Sequence, residues 1–192
     1  MSHSSRQDRA AVERAVADLI RGLGLDSRLD HELDRTPGRI ADFYAEAFAG
    51  LDPAGEPDLQ TFAHEPGRAG GDDLVAVRDL EFHSICVHHF APFFGRATIL
   101  YVPGERIVGI SGPARLLDWY ARRPQLQERI TTQLADHLER LLEPRGVAVV
   151  LKARHLCMEM RGIRRRGLVE TVAVRGVLAE PRWAAALGLQ RS

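Results

Sequence analysis

The order of hydrophobic periodicities constrains the fold of this chain more than any other feature of its sequence. From residue 74 onwards, short alternating runs typical of strands form two groups, and two helical stripes lie between the groups. In chain order they are strands at 74–82, 96–102 and 106–110, helices at 113–122 and 125–142, and strands at 147–155 and 169–178. Pro103-Gly104 resembles a hairpin turn. This order predicts an α+β domain in which an antiparallel sheet carries both helices on one face.

Two more helices are predicted before this domain. Apolar residues recur at helical spacing from Asp8 to Leu23. A second helix has Thr36 as its N-cap and Pro37 in its first position, and it ends near Gly50. The following segment is rich in proline, glycine and acidic residues and is interpreted as a loop. We expect an N-terminal helical arm with its connecting loop and a main domain, at 1–73 and 74–192.

Charge and hydropathy exclude several classes of protein. Twenty-six basic and twenty-six acidic residues give a net charge of zero, so we expect no nucleic-acid partner and no anionic membrane surface. Apolar runs such as Val147–Leu151 are far shorter than the roughly 20 residues of a membrane span. Two cysteines are too few for a disulfide scaffold. A soluble, cytoplasmic protein is the expectation.

The densest group of chemically active residues combines cysteine and histidine. Cys86, His88 and His89 lie within one short segment, and His155 and Cys157 lie close together far downstream. Zinc prefers thiolate and imidazole, and a catalytic zinc commonly has three protein ligands, a number that Cys86, His89 and Cys157 supply. His88 and His155 would then be available to move protons. From spacing alone, a structural zinc, or buried thiols beside loop histidines, explains these residues equally well.

Three further segments carry charge and have two interpretations each. The start of the second long helix, 122–129, is either a solvated helix surface or a polar site. Ser111 to Arg115 places an arginine at a helix N-terminus, where a phosphate could bind. The arginine-rich segment 161–166 is either a charged turn or an anion site.

Taken together, the motifs of this chain resemble those of the GTP cyclohydrolase I family. The resemblance covers almost the whole chain and includes both cysteines. The matching segments are Thr36–Ala41, Cys86–His89 with Pro92–Gly95, Tyr101–Pro103, Gly109–Ser111, Ala121–Arg129, Arg145–Val149, and His155–Cys157 with Met160–Gly162.

The resemblance implies a fold, an assembly and a reaction. The fold is the tunnelling fold, in which antiparallel sheets from several subunits close into a barrel and N-terminal helices lie outside. The assembly is a homo-oligomer, a ring-stacked decamer with active sites at subunit interfaces. The reaction is the zinc-dependent hydrolytic opening of the guanine imidazole ring of GTP, with release of formate and formation of 7,8-dihydroneopterin triphosphate. The zinc ligands would be Cys86, His89 and Cys157.

The resemblance also implies roles for residues around the zinc. His155 would protonate a ring nitrogen of the substrate, and His88 would assist hydrolysis. Glu128 would accept hydrogen bonds from the guanine ring N–H and exocyclic amine, with Gln127 beside it, which would select guanine over adenine. The ribose and the triphosphate would be bound by four further residues, Ser111, Arg39, Arg115 and Arg161.

Three residues depart from the family pattern. Val87 stands where the family usually has glutamate, and lysines of the family are replaced by Gly112, after Ser111, and by Asp42, three residues after Arg39. Segment 167–171 also lacks the serine- and threonine-rich character usual in the family. These departures suggest a divergent member that acts on a guanine nucleotide with fewer phosphates, or that stops at the ring-opened product. Two further hypotheses are a catalytically silent structural or regulatory homologue, and a tunnelling-fold relative that reduces or rearranges pterin-like substrates.

Overall fold

A computed structural model of the protein describes residues 7–25, 31–65 and 73–188. It contains helices and a largely antiparallel sheet, which confirms the predicted α+β class. The helices are α1 (Arg9–Gly22), α2 (Thr36–Ala47), α3 (Gly112–Ala121), α4 (Gln127–Leu142) and α5 (Leu156–Glu159). The strands are β1 (Thr61–Ala63), β2 (Val75–Cys86), β3 (Pro92–Val102), β4 (Arg106–Val108), β5 (Pro124–Gln125), β6 (Gly146–His155) and β7 (Val169–Gly176). No helix in these described ranges is long and apolar enough to cross a membrane.

The main sheet has five strands in the order β5-β2-β3-β6-β7. Strands β2, β3, β6 and β7 are antiparallel to their neighbours, whereas the two-residue β5 runs parallel to β2. Strands β1 and β4 pair with each other in a separate small sheet. The Pro103-Gly104 turn therefore does not close a hairpin between β3 and β4, and that prediction is wrong because β4 finds its partner in the segment predicted to be a loop.

Helices α3 and α4 pack on one face of the main sheet, as the alternation of apolar residues predicts. Side chains at odd positions of β6, such as Val149 and Leu151, belong to the same buried cluster as Leu134 and Leu138 of α4. Leu116 of α3 completes this core, and all five are fully buried. Side chains alternate between the two faces of a strand, so the even positions of β6 face the opposite side.

The opposite face of the sheet is covered at one end by the C-terminal segment. Leu100 of β3 and Ala148 of β6 pack with Leu178 and Leu187 in a second buried cluster. Further along this face the side chains are charged, and Lys152 of β6 forms an ion pair of 2.9 Å with its β7 neighbour Glu170.

The N-terminal region differs from prediction in detail. Thr36 is the first residue of α2 rather than its N-cap, and its hydroxyl donates to the carbonyl oxygen of Glu32. The predicted loop at 52–73 contains the 3₁₀ turn Pro53–Gly55 and strand β1, while its residues 66–72 lie outside the described part of the chain. Strand β1 has only three residues, too few for an alternating pattern to indicate it.

The two N-terminal helices are joined by a charged pair. The guanidinium of Arg9 in α1 donates to both carboxylate oxygens of Asp42 in α2, at 2.6 and 3.1 Å. Helix α2 in turn contacts the main domain through aromatic rings, since Tyr44 and Phe48 pack edge to face against Phe90, between β2 and β3. The arm therefore contacts the segment that carries the predicted zinc ligands.

Candidate active site

Strand register brings the predicted zinc ligands to one end of the main sheet. β2 and β3 form a hairpin, and residues 87–91 connect them. Phe93, near the start of β3, pairs across the sheet with His155, the last residue of β6. Helix α5 begins immediately after that strand and carries Cys157. The hairpin turn and the His155–Cys157 segment therefore lie side by side, although about 70 residues separate them in sequence.

The hairpin turn is held by backbone hydrogen bonds. The N–H of Cys86 donates to the carbonyl oxygen of Ala91, and the N–H of Phe90 donates to the carbonyl oxygen of Cys86, both at 2.9 Å. Phe90 has a φ of 51°, in the left-handed region that a tight turn requires here. This closure places the side chain of His89 next to that of Cys86.

Cys86, His89 and Cys157 form a group that could hold a metal ion. One donor atom from each lies within 4.8 Å of the other two. A tetrahedral zinc keeps sulfur and nitrogen donors about 3.3 to 3.8 Å apart, so the separations in this group exceed those of a zinc site by no more than about 1.5 Å. Burial and then the neighbouring Cys86 thiol raise the pKa of Cys157. A bound cation would favour the thiolate form of Cys157, because metal binding displaces the thiol proton.

The two predicted proton-transfer histidines occupy different environments. His88 is exposed on the hairpin turn, and its ring centroid is 6.2 Å from that of the adjacent His89. His155 is half-buried, stacks on Phe93 with centroids 4.6 Å apart, and shares a hydrogen bond of 2.8 Å with Gln127. Burial lowers the pKa of His155, and the Glu128 carboxylate opposes part of that effect. His155 is thus held in place, whereas His88 faces solvent.

The adjacent residues Gln127 and Glu128 point in different directions at the start of α4. Glu128 is exposed in the first turn, close enough for its charge to act on His155. Gln127 is 1% exposed, and protein atoms surround its amide. Glu128 is therefore accessible to a substrate, while the Gln127 amide forms its hydrogen bonds with other groups of the protein.

The four residues predicted to bind ribose and phosphate lie on different elements of the chain. The guanidinium of Arg161 lies 3.0 Å from His89 Nε2, at the candidate metal centre. Ser111 and Arg115 line a separate cavity of about 370 Å³, and Arg115 donates to the carbonyl oxygen of Asp58. Arg39 is exposed on α2. Ser111 and Arg115 thus share one cavity, and Arg161 lies at the candidate metal centre instead.

Helix α3 explains the separation of the Ser111 cavity from the candidate metal centre. Its C-terminal residue Ala121 accepts a hydrogen bond from Ser84, two residues before Cys86. Ser111 precedes the other end of this ten-residue helix, so about 15 Å of helix lies between the two places.

The structure gives local reasons for two of the three departures from the family pattern. Asp42 is the partner of Arg9, so its charge is balanced within the arm. Gly112 is buried, and a side chain there would place Cβ 2.5 Å from a methyl group of Val108. Val87 is half-buried, and nothing in the structure explains its side chain.

Sequence reasoning missed the residues that surround the buried Gln127 amide. Thr131 and Thr171 share a hydrogen bond of 2.6 Å, and Thr171 also lies 3.1 Å from the amide nitrogen. Thr131 is one helical turn after Gln127, a spacing that could have indicated a contact. Thr171 is 44 residues away on β7, and only the sheet register reveals its place.

An α+β domain with a Cys-His-Cys group beside a half-buried histidine defines a candidate metal-dependent enzyme, and comparison with known proteins gives its family. The family model described as GTP cyclohydrolase I matches residues 12–187. The GTP cyclohydrolase 1 of Thermobifida fusca is 47% identical over 176 residues, which cover 90% of this chain and 83% of that protein. The GTP cyclohydrolase 1 of Streptomyces avermitilis is 48% identical over 178 residues, 91% of this chain and 86% of the relative.

A relative of lower sequence identity gives the same result. The GTP cyclohydrolase 1 of Bacillus subtilis is 43% identical over 171 residues, covering 88% of this chain and 87% of the relative. The chain belongs to the GTP cyclohydrolase I family, which confirms the resemblance carried by its motifs.

Proposed function

We propose that this protein opens the imidazole ring of GTP by zinc-dependent hydrolysis, releases formate and leads to 7,8-dihydroneopterin triphosphate. One observation carries the proposal: Cys86, His89 and Cys157 converge within 4.8 Å in a chain of the GTP cyclohydrolase I family. Two thiols and one imidazole are donors that zinc prefers, and three protein ligands leave a position free for chemistry.

Cys86, His89 and Cys157 would hold the zinc, which when bound supplies an electrophilic centre that activates water for attack on guanine C8. Arg161 lies 3.0 Å from His89 and adds positive charge at this end of the sheet. A nucleotide phosphate or a developing negative charge is favoured near such a guanidinium.

The chain's own histidines would handle the protons of the reaction. His155, fixed by its stack on Phe93 and its bond to Gln127, donates a proton to a ring nitrogen of the substrate. His88 is exposed on the hairpin turn and exchanges a second proton during hydrolysis. An imidazole suits both steps because its pKa lies near physiological pH.

Glu128 would select the guanine base. Its carboxylate is exposed in the first turn of α4, next to His155. A carboxylate only accepts hydrogen bonds, and the guanine edge offers two adjacent donors, the ring N–H and the exocyclic amine. Adenine lacks this pair of donors, so the Glu128 carboxylate would be left without hydrogen-bond partners if adenine bound.

We also propose that a neighbouring copy of the chain completes the site. The cavity with Ser111 and Arg115 lies at the opposite end of α3 from the metal group of its own chain, which supports a site built from more than one chain. Among the described residues, the outer edge of β7 and most of the outer edge of β2 have no partner strand. A strand of a neighbouring subunit could therefore pair with either edge. A homodecamer with the tunnelling fold fits these features, with 74–192 as catalytic domain and 1–73 as arm and loop.

A second candidate keeps the ring opening but uses a shorter guanine nucleotide or stops at the ring-opened product. It is favoured by the loss of two family lysines, since Asp42 is acidic and Gly112 has no side chain. Fewer positive charges near the phosphate tail would weaken binding of a triphosphate more than that of a monophosphate.

Substrate assays separate these proposals. Zinc-loaded protein is incubated separately with GTP, GDP, GMP and guanosine, and formate and pterin are followed by mass spectrometry. Formate and dihydroneopterin triphosphate from GTP are the expected result. Formate without a pterin, or turnover only of a shorter nucleotide, would support the second candidate. No turnover of any of the four by the zinc-loaded protein would overturn both and favour a silent homologue.

A matched pair of variants links turnover to the site. His155→Asn is expected to retain zinc but lose formate release, because the ligand set is unchanged and the proton donor is absent. Substitution of exposed His31, far from the site in sequence, is expected to leave both properties unchanged.

A further inference from the structure

Gln127 occupies a buried position in which each atom of its amide meets a protein group. The nitrogen Nε2 lies 3.0 Å from the carbonyl oxygen of Leu151 and 3.0 Å from that of Val169. It also lies 3.1 Å from the hydroxyl of Thr171. The oxygen Oε1 lies 2.8 Å from Nε2 of His155.

These contacts determine which way the amide faces. Backbone carbonyl oxygens only accept hydrogen bonds, so the group next to Leu151 and Val169 must be the NH₂ group. The reversed amide would place its oxygen against two carbonyl oxygens in a buried position and would lose both of these hydrogen bonds. Oε1 of Gln127 must therefore face His155.

The threonine hydroxyls around the amide agree with this orientation. Thr131 donates its proton to the backbone carbonyl oxygen of Gln127, at 2.8 Å. With that proton used, Thr171 donates to Thr131 Oγ1, at 2.6 Å, and its oxygen is one of three acceptors that share the two N–H hydrogens of the Gln127 amide. Every donor in this cluster has an acceptor, so the cluster has one consistent arrangement of protons.

An acceptor oxygen facing a ring nitrogen requires a proton on that nitrogen. Because Oε1 of Gln127 accepts, Nε2 of His155 carries hydrogen in the neutral ring, and the lone pair is on Nδ1. The stack on Phe93, with ring planes only 4° apart, fixes the plane of the imidazole as well. Both the rotation of the ring and the site of its proton are thereby set by the protein.

We propose that Gln127 is a positioning residue that keeps a proton on Nε2 of His155, so that Nδ1 is the nitrogen that takes up a second proton and passes it to the substrate. The inference rests on the proposed function for its substrate, but its structural part stands on the hydrogen bonds alone. It assigns the Gln127 side chain to His155 rather than to the guanine base, although the adjacent Glu128 faces the substrate.

Gln127→Met tests the proposal because methionine fills a similar volume and can neither accept from nor donate to these partners. Gln125→Met is the matched control. Gln125 is also 1% exposed, and its amide nitrogen donates to the carbonyl oxygen of Tyr120 and to Gln133 Oε1 rather than to the groups that surround Gln127. Both variants lose buried amide hydrogen bonds, so a general loss of stability affects them alike. Zinc content is measured in each to show that the metal group is intact.

Steady-state kinetics with GTP provide the first measurement. Gln127→Met is expected to lower kcat by at least about tenfold, with KM changed less than about twofold, because the proton donor is misplaced while base binding is retained. Gln125→Met is expected to keep the wild-type kcat. A Gln127→Met enzyme with unchanged kcat and a raised KM would overturn the proposal, since Gln127 would then bind substrate.

Solid-state nitrogen NMR of protein labelled in its histidine rings provides the second measurement and does not depend on turnover. At alkaline pH, where the ring is neutral, His155 is assigned by its loss in His155→Asn and is expected as the Nε2–H tautomer in the wild type. In Gln127→Met the signal should split between tautomers, and in Gln125→Met it should not. An Nδ1–H tautomer in the wild type, or no change in Gln127→Met, would overturn the proposal. Absence of GTP turnover in the wild type with the expected tautomers would overturn the proposed substrate only.

Discussion

At the scale of single residues, the candidate metal centre depends on one thiol that comes from a different part of the chain from the other two donors. Cys157 lies on α5, while Cys86 and His89 lie at the β2–β3 turn. With Cys157 removed, two donors remain, which is fewer than zinc sites in proteins normally have. The geometry therefore makes zinc binding sensitive to this one side chain.

We predict that Cys157→Ala abolishes stoichiometric zinc binding and, with it, formate release from GTP. Zinc is measured by elemental analysis after dialysis against a weak chelator. Met158→Ala, which changes the next residue of the same short helix, serves as the control and should keep its zinc. Full zinc content in Cys157→Ala would show that the ligand assignment is wrong.

His137 gives a prediction for the pH dependence of stability. It lies away from the metal group, and its Nδ1 is 3.1 Å from the hydroxyl of Tyr120 and 3.8 Å from Glu56. Burial lowers the pKa of His137, Glu56 opposes this effect and Arg140 adds to it. The folded protein thus takes up this proton only at lower pH than the unfolded chain does.

The sign of the effect follows from proton linkage. The contribution of His137 to the free energy of unfolding is fully present above about pH 6.5 and is lost as the pH falls towards the lowered pKa. His137→Gln should therefore lose less stability than the wild type when urea unfolding is compared at neutral and mildly acidic pH. His31→Gln changes a side chain that is 90% exposed and should follow the wild type. Equal acid sensitivity of His137→Gln and wild type would contradict the assignment.

At the scale of secondary-structure elements, the site depends on close contact between β3 and β6. Gly95 of β3 pairs with Ala153 of β6, two residues from the pair formed by Phe93 and His155. A Cβ at Gly95 would lie 1.9 Å from the carbonyl oxygen of Lys152, and backbone atoms leave it no room. Any side chain here must push the two strands apart beside the candidate active site.

We predict that Gly95→Ala lowers the free energy of unfolding by about 3 kcal/mol, because the overlap is with backbone rather than with an adaptable side chain. Gly22→Ala at the end of α1 is the matched control, since its Cβ would meet nothing within 4 Å. Urea denaturation of both variants measures the difference. A Gly95→Ala protein as stable as Gly22→Ala would show that β3 and β6 are not so closely packed.

Strong periodic patterns predicted the main elements, whereas contacts between distant short segments could not be predicted. The apolar stripe of α4 and the alternating residues of β6 indicated their structures directly, since each is long enough to show its period. Strand β4 was misassigned to a hairpin because its partner β1 is three residues long and lies in a segment without a pattern. Local sequence contains no information on such a pairing.

The same distinction applies to the candidate site. Cys86, His89 and Cys157 were predicted as a metal-binding group because thiol and imidazole are donors that zinc prefers, and the structure brings the three together. The direction of the Gln127 side chain was not predicted. It depends on carbonyl groups of β6 and β7, which only the folded sheet brings close to this side chain. Residue identity therefore predicts chemistry, and tertiary contacts decide which partner each residue serves.

At the scale of the whole molecule, the structure separates two parts of the expected site. The metal group lies at the end of the sheet next to the β2–β3 turn, and Ser111 and Arg115 lie in another cavity, beyond the length of α3. If both parts bind one nucleotide, we expect them to come from different subunits of a homo-oligomer. The 21.3 kDa chain should then sediment as a multimer in analytical ultracentrifugation.

A mixture of two inactive variants tests whether sites are shared between subunits. Cys157→Ala lacks the metal group, and Arg115→Ala lacks the proposed phosphate contact, so each alone should have little activity with GTP. When they are unfolded and refolded together, random assembly gives about a quarter of the sites one intact metal group and one intact arginine from different subunits. Activity should therefore return to about that fraction of the wild-type value. Variants refolded separately and then mixed are the control, and they should stay inactive unless subunits exchange. A co-refolded mixture without activity, from oligomers shown by mass to be mixed, would place both parts of each site in the same subunit.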